Sequence, residues 1–341
     1  MGNDKKAQKR KSSLTRTFGT QEVIVVGVIV ILFLFFSLAS QSFRRYTTVV
    51  TLCNYMYYIL LMAIGVTFPL ITAGVDLSIG TGIICYSIVG SYVISQMHMP
   101  VGVGMVVTMA LALLFGFLNG IIIAKLDLPP FIVTLCTMMI VRGLGSILAG
   151  GLSGVWPMAG SPGSWCRSIF KINAGGKIIP IGMIWMILLI VIMSFVLRKT
   201  RTGRYIIAIG SNKEALRLSG VNVVKWQVAA YLISGFFAGL AAIAYACTFS
   251  NITPGTGAGL ELDAIGGAII GGTSMTGGSG SIFGTFLGVL VISLLKTGLP
   301  YVGLQANWQQ IITGLVLIGA VTMDMTTSTT TPWPWCGGAR R

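Results

Sequence analysis

The chain has 341 residues, 54% of them hydrophobic and 9% charged, with a net charge of +15 and a mean hydropathy of +0.87. A soluble globular domain carries about 25% charged residues, so this sequence holds more apolar surface than one core can bury, and lipid must cover the rest. The positive charge is concentrated in loops between apolar runs, the pattern of a membrane protein rather than of a nucleic-acid binder.

The N-terminal stretch 1–21 is polar and basic and is expected to form a cytoplasmic tail. An apolar run follows to Ala39, and Ser37-Leu38-Ala39 passes for a signal-peptide cleavage site. The chain continues into many more apolar runs, so an uncleaved first span is expected. A bilayer core needs about 20 apolar residues per helix. The runs near 22–39, 55–72, 79–97, 101–125, 131–150, 180–197, 228–248, 263–272, 281–298 and 308–324 meet or approach that length. The fold class expected is therefore an all-α polytopic membrane protein of about ten segments. The segment 263–272 is too short for a full crossing, and 131–150 contains Arg142. With the N-terminus inside, sixteen Lys and Arg fall on inner segments and five on outer ones. That asymmetry places both termini in the cytoplasm.

Between the second and third runs lies Gly74-Val75-Asp76-Leu77-Ser78-Ile79-Gly80. An ionisable side chain at membrane depth faces a protein interior or water, and flanking glycines mark a place where a helix can break. The stretch reads as a broken or re-entrant segment. Two roles are open to Asp76: an ion or substrate ligand, or a cap on the broken-helix backbone at a helix start, for which Ser78 is equally suited. A second stretch, Gly259 to Gly267, also sets acidic residues, Glu261 and Asp263, and glycines before a short apolar run. Paired Gly-interrupted segments are a mark of inverted-repeat transporters, although two such stretches signal a repeat only weakly. Glu261 and Asp263 are expected at a wet outer boundary, as caps or docking groups rather than a proton relay.

The outer loop 151–179 carries Trp156 and Trp165 in interfacial positions, and 198–227 is the largest inner loop. In the latter, Asn212 can cap a short helix and Gly220 can end it. A helix this short is marginal alone and makes sense docked in a groove on a soluble partner. The Gly/Ser/Thr run 271–281 lacks a Walker lysine and reads as a tight internal turn. The six cysteines form no C-x-x-C and read as packing residues, and the single histidine, His98, argues against a zinc site. No metal site is expected. Residues 326–341 form a low-complexity tail.

Four ordered stretches carry a resemblance over about residues 20–325. They are Gly74–Gly80, Pro130-Phe131-Ile132-Val133-Thr134-Leu135 with Arg142-Gly143, Thr202-Gly203-Arg204-Tyr205 leading into Asn212–Asn222, and Glu261–Ile265 with Gly271-Gly272-Thr273-Ser274 and Gly277-Gly278. On these the chain resembles the membrane permease subunit of ribose/xylose/galactose-type ABC importers, which include autoinducer-2 permeases. Ala73 stands where the family commonly has glycine. The resemblance implies a transmembrane permease domain over 22–325 whose loop 198–227 couples to a cytoplasmic ATPase through Glu214, Ala215, Leu216, Arg217 and Gly220. It implies that Gly74, Asp76, Ser78 and Gly80 hold a broken helix beside the path. It implies no cofactor on this chain, with ATP and Mg on the partner ATPase. The further partners implied are an extracytoplasmic sugar-binding protein and a second permease copy or homologue in the bacterial inner membrane, with no nucleic acid. The competing class is a stand-alone secondary transporter or channel with Asp76 as its ion site.

Overall fold

The computed structural model describes residues 20–330 apart from Ala149. The basic tail 1–21 and the end of the 326–341 tail, with Cys336, Arg340 and Arg341, lie largely or wholly outside the described residues. Eleven α-helices follow in order. They are α1 (Thr20–Ala39), α2 (Tyr46–Ile71), α3 (Ser78–Ser95), α4 (Val101–Leu126), α5 (Pro130–Leu148), α6 (Gly182–Lys199), α7 (Arg201–Leu218), α8 (Val223–Phe249), α9 (Leu260–Ile270), α10 (Ile282–Gly298) and α11 (Ala306–Thr330). Eight of them, all but α7, α9 and α11, are long and apolar enough to cross a bilayer.

The helices match the apolar runs, with one difference at a start. The second helix begins at Tyr46, nine residues before the run at 55. Thr47, Thr48, Thr51 and Asn54 lower the local hydropathy there, yet a helix absorbs the hydroxyls. Thr51 Oγ1 donates to the Thr47 carbonyl at 3.0 Å, and Thr48 Oγ1 reaches the Tyr301 hydroxyl at 3.0 Å.

The bundle is built around α2, which is buried on every side from Met56 to Ile71. It packs on α8, α9 and α10. In contrast α1 is mostly exposed and apolar, the surface that lipid covers. The most extensive helix pairing is α4 with α8. Each carries a Gly-x-x-x-Gly, Gly116 with Gly120 and Gly235 with Gly239. A Cβ on Gly116 would collide with the Tyr231 carbonyl and Gly235 Cα, and one on Gly235 with Ala112 and Gly116. Small residues thus let the two backbones touch, which brings Asn119 of α4 close to the stretch of α8 that carries Ser234.

The expectation of an all-helical chain needs a small correction. Two short antiparallel ribbons occur, β1 (Gly154–Val155) of the 151–179 loop with β4 (Asn251–Ile252) after α8, and β2 (Ile172–Ala174) with β3 (Lys177–Ile179) within that loop. Gly175 and Gly176 join β2 to β3 with φ of 57° and 76°, the paired left-handed residues that a tight hairpin requires. Trp156 is fully buried, its indole N–H donating to the Ser87 carbonyl at 2.8 Å. It plugs the bundle rather than lying at an interface, whereas Trp165 is exposed.

Candidate functional site

Helix α2 ends with Pro69 in its last turn, and the chain breaks between Thr72 and Leu77. Ala73 takes φ 59°, a left-handed conformation that costs an L-residue energy and that glycine adopts freely. Gly74 is there for space: a Cβ would strike the Tyr231 hydroxyl. Gly80, read from the sequence as part of the break, lies inside α3. A Cβ there would collide with Glu261, so Gly80 serves close packing and does not break the helix.

Asp76 is 2% exposed and sits at the head of α3. Its Oδ1 accepts the Ser78 N–H at 3.1 Å and the Ser78 hydroxyl at 2.6 Å, and Oδ2 accepts the Ser234 hydroxyl at 2.6 Å. Ser78 Oγ in turn accepts from Asn119 Nδ2 at 3.0 Å, and Asn119 Oδ1 accepts from Thr137 Oγ1 at 2.6 Å. One chain of hydrogen bonds therefore links α5, α4, α3 and α8 at a carboxylate. At 1.5 Å per residue, Asn119 and Thr137 each lie about 10 Å inside the end marked by the α4–α5 turn. Helix α3 thus starts within the bundle. Thr134 Oγ1 also donates to the Val75 carbonyl at 3.1 Å, fixing the broken backbone.

The second acidic stretch meets the first. Residues 253–259 dip from the outer ribbon into the bundle, with Gly257 against Gly80 and Ile84. Helix α9 starts beside Gly80, and its eleven residues span about 16 Å, half a bilayer core. Glu261 Oε1 accepts the Gly259 N–H at 3.1 Å, while Oε2 is buried without a partner. Asp263 makes a 2.5 Å ion pair with Lys296 of α10, the side chains 4% and 19% exposed. Both acids were expected at a wet boundary. The structure buries them, because residues 253–259 pack into the bundle against α3 and carry the helix start inward.

Beside this junction, α3, α5 and the dipping segment border a half-open cleft of about 140 Å³ lined by Thr81, Cys85, Arg142, Ser146 and Gly255 among others. Arg142 lies about two-thirds of the way along α5 on its exposed face. A guanidinium at that depth cannot face lipid cheaply.

At the opposite, basic end, α7 is interrupted at Asn212, whose φ of −163° and ψ of 96° are extended. Asn212 Oδ1 accepts the Ala215 N–H at 2.9 Å, and Gly220 takes φ 81°. Lys213 to Leu218 therefore form a separate capped turn of helix. Its Glu214, Ala215, Arg217 and Leu218 are exposed, Leu218 at 87%, and Leu216 is half-buried. Lys213 Nζ contacts Asp127 Oδ1 of the α4–α5 turn at 2.7 Å, and that ammonium holds the Asp127 carboxyl below its usual range. Just before the break, Gly210 packs on the Ile71 carbonyl and Gly278 N, and Gly278 N–H donates to Ile71 O at 2.9 Å. The 271–281 run is a turn with Gly272, Gly277 and Gly278 at positive φ. It joins the exposed helix to the last residue of α2, and so to the break at Asp76.

Asn119, Thr137, Ser234, Lys296 and the Asp127–Lys213 pair were not singled out in the sequence. Asn119 and Lys296, polar residues inside apolar runs, were the available signals; serines and threonines in helices carry none.

Comparison with known proteins adds a family. A protein family described as "Branched-chain amino acid transport system / permease component" matches residues 48–321. The chain is 32% identical to the fructose import permease protein FruG of Bifidobacterium longum, over 94% of this chain and 95% of that one. It is 35% identical to the ribose import permease protein RbsC of Escherichia coli, over 77% and 81%. It is 34% identical to the galactose/methyl galactoside import permease protein MglC of Salmonella typhimurium, over 78% and 82%.

Proposed function

We propose that this chain, which belongs to that permease-component family, is the membrane-spanning subunit of an ATP-driven importer carrying a monosaccharide across the bacterial cytoplasmic membrane. The sugar class follows from the relatives, whose names specify fructose, ribose and galactose. ATP and Mg²⁺ belong to a separate cytoplasmic ATPase, and an extracytoplasmic binding protein delivers the sugar. The domain spans residues 22–325 in about ten segments, with both termini inside, and its two acid-headed helix starts are the remnant of an inverted repeat.

The observation that carries the reading is the capped helix Lys213–Leu218. Six residues cannot hold a helix in water by themselves, and a leucine left 87% exposed beside Ala215 is an unpartnered apolar surface. A groove on an ATPase subunit covers it. Glu214 and Arg217 flank it with opposite charges that set orientation. Movement of this helix pulls on Gly210, and through the Ile71–Gly278 contact on the break that Asp76 caps. The Asp76 network then is the hinge of a two-state element whose inward- and outward-open forms the ATPase biases. The exposed Arg142 face of α5 borders the water-filled path and a second permease copy, which is how a charge at that depth avoids lipid.

The test is uptake of labelled ribose, fructose and galactose by cells with and without this chain. Uptake of one of them should depend on it and be abolished by Leu218→Asp and by Glu214→Arg. Uptake by the purified chain in vesicles without any ATPase would reject the reading in favour of a stand-alone transporter.

A further inference from the structure

The six cysteines were read from the sequence as packing residues. The structure brings two of them together, 81 positions apart. Cys166 lies in a 3-10 helix of the outer loop (Ser164–Ile169), and Cys247 lies in the last turn of α8. Both are free thiols in the structure, buried at 0% and 1% exposure, on segments that pack against each other. Contacts on both sides hold the two segments together. The Arg167 guanidinium donates to Ser250 Oγ, Lys171 Nζ donates to the Thr248 carbonyl at 2.9 Å, and the Trp156 N–H donates to the Ser250 carbonyl at 2.8 Å.

We propose that Cys166 and Cys247 form a disulfide on the outer side of the membrane, stapling the outer loop to the end of α8. The location rests on the orientation given under the proposed function. Charge asymmetry puts this loop outside, where disulfides form and persist. The pair is poised for it chemically. The Cys247 thiol and then the Arg167 guanidinium hold the Cys166 thiol below its ordinary range, and the thiolate is the attacking species. Cys166 and Cys247 together lose two protons and two electrons as the S–S bond forms. The electrons reduce the disulfide of an extracytoplasmic thiol oxidant to its dithiol. Closing so long a loop restrains the unfolded chain and fixes the plug that buries Trp156.

The test counts thiols in the full-length protein taken from native membranes. The chain is denatured at lysis straight into a mass-tagged maleimide, which both traps and counts free thiols, without reductant or after reduction. With six cysteines in the chain, the disulfide leaves four thiols before reduction and six after it. Cys166→Ser and Cys247→Ser should each give five in both states. Six thiols without reductant would overturn the proposal. A second measurement separates that failure from a failure of the orientation. Ala159→Cys, on the exposed loop and in a background lacking Cys166 and Cys247, is labelled in intact cells by an impermeant maleimide. Labelling from outside with Cys166 and Cys247 still free in the parent chain rejects the disulfide alone. Labelling only after permeabilisation rejects the orientation and the disulfide together.

Discussion

Lys296→Met removes the ammonium that Asp263 faces at 2.5 Å. The Asp263 side chain is 4% exposed, so its carboxylate cannot turn to water, and taking away one partner leaves a buried charge uncompensated. Breaking a buried pair in this way costs about 3–5 kcal/mol, whereas replacing both partners by neutral groups of similar size is often neutral or better. Asp263→Asn alone should cost less than Lys296→Met, because the lysine is 19% exposed and its long stem can carry the ammonium towards water. The double variant should lie within about 1 kcal/mol of the parent, a coupling far larger than independent sites allow. The assay is equilibrium unfolding in mixed detergent micelles, followed by fluorescence of the chain's seven tryptophans. If the two single losses simply add in the double variant, or if Lys296→Met leaves stability unchanged, the ion pair does not join α9 to α10 and the reasoning fails.

Three further outcomes are expected. Gly74→Ala should destabilise by about 1–3 kcal/mol through overpacking, and Tyr231→Phe should relieve much of that loss. The Tyr231 hydroxyl is the atom a new Cβ meets, and it is buried without a partner; a second-site experiment that restores nothing would rule this out. Ser234→Ala removes a hydrogen bond to the Asp76 carboxylate and should cost about 1.5–3 kcal/mol with slowed transport, measured by unfolding and uptake together; an unaffected variant would show that the network is idle. For the Asp127–Lys213 pair the folded carboxyl lies below its unfolded value. Its contribution is therefore present above the unfolded value of about 4 and is lost as pH falls through the folded one. A spin label at Leu218→Cys should thus become more mobile at low pH and in high salt, and Asp127→Asn should be equally mobile at every pH.

The helices were legible because lipid demands long apolar runs: each of the ten runs became a helix, with bounds within about six residues of those expected except for the start of α2 at Tyr46. The capped turn at Asn212 and its stop at Gly220 were legible for a local reason, since both depend on residues within one turn. What the sequence hid was contact between distant segments. Glu261 and Asp263 look solvated when only their outer loop is considered, and the inward dip of 253–259 against Gly80 reverses that. Gly80 looks like a breaker, yet a clash with Glu261 is what forbids a side chain there. Gly116, Gly120, Gly235 and Gly239 carried a packing signal, but only the structure showed that they face each other and so bring Asn119 and Ser234 to Asp76. Cys166 and Cys247 share no motif, and the fold alone makes them neighbours.

The central claim is that the helix Lys213–Leu218 is the handle by which an ATPase drives this membrane domain. The most direct measurement is ATP hydrolysis co-purifying with the affinity-tagged chain from its native membrane, for the parent and for Leu218→Asp. Mg²⁺-dependent hydrolysis is expected with the parent and its loss in the variant, with the variant's unfolding curve unchanged because Leu218 is 87% exposed. Hydrolysis absent from the parent, or undiminished in the variant, would contradict it.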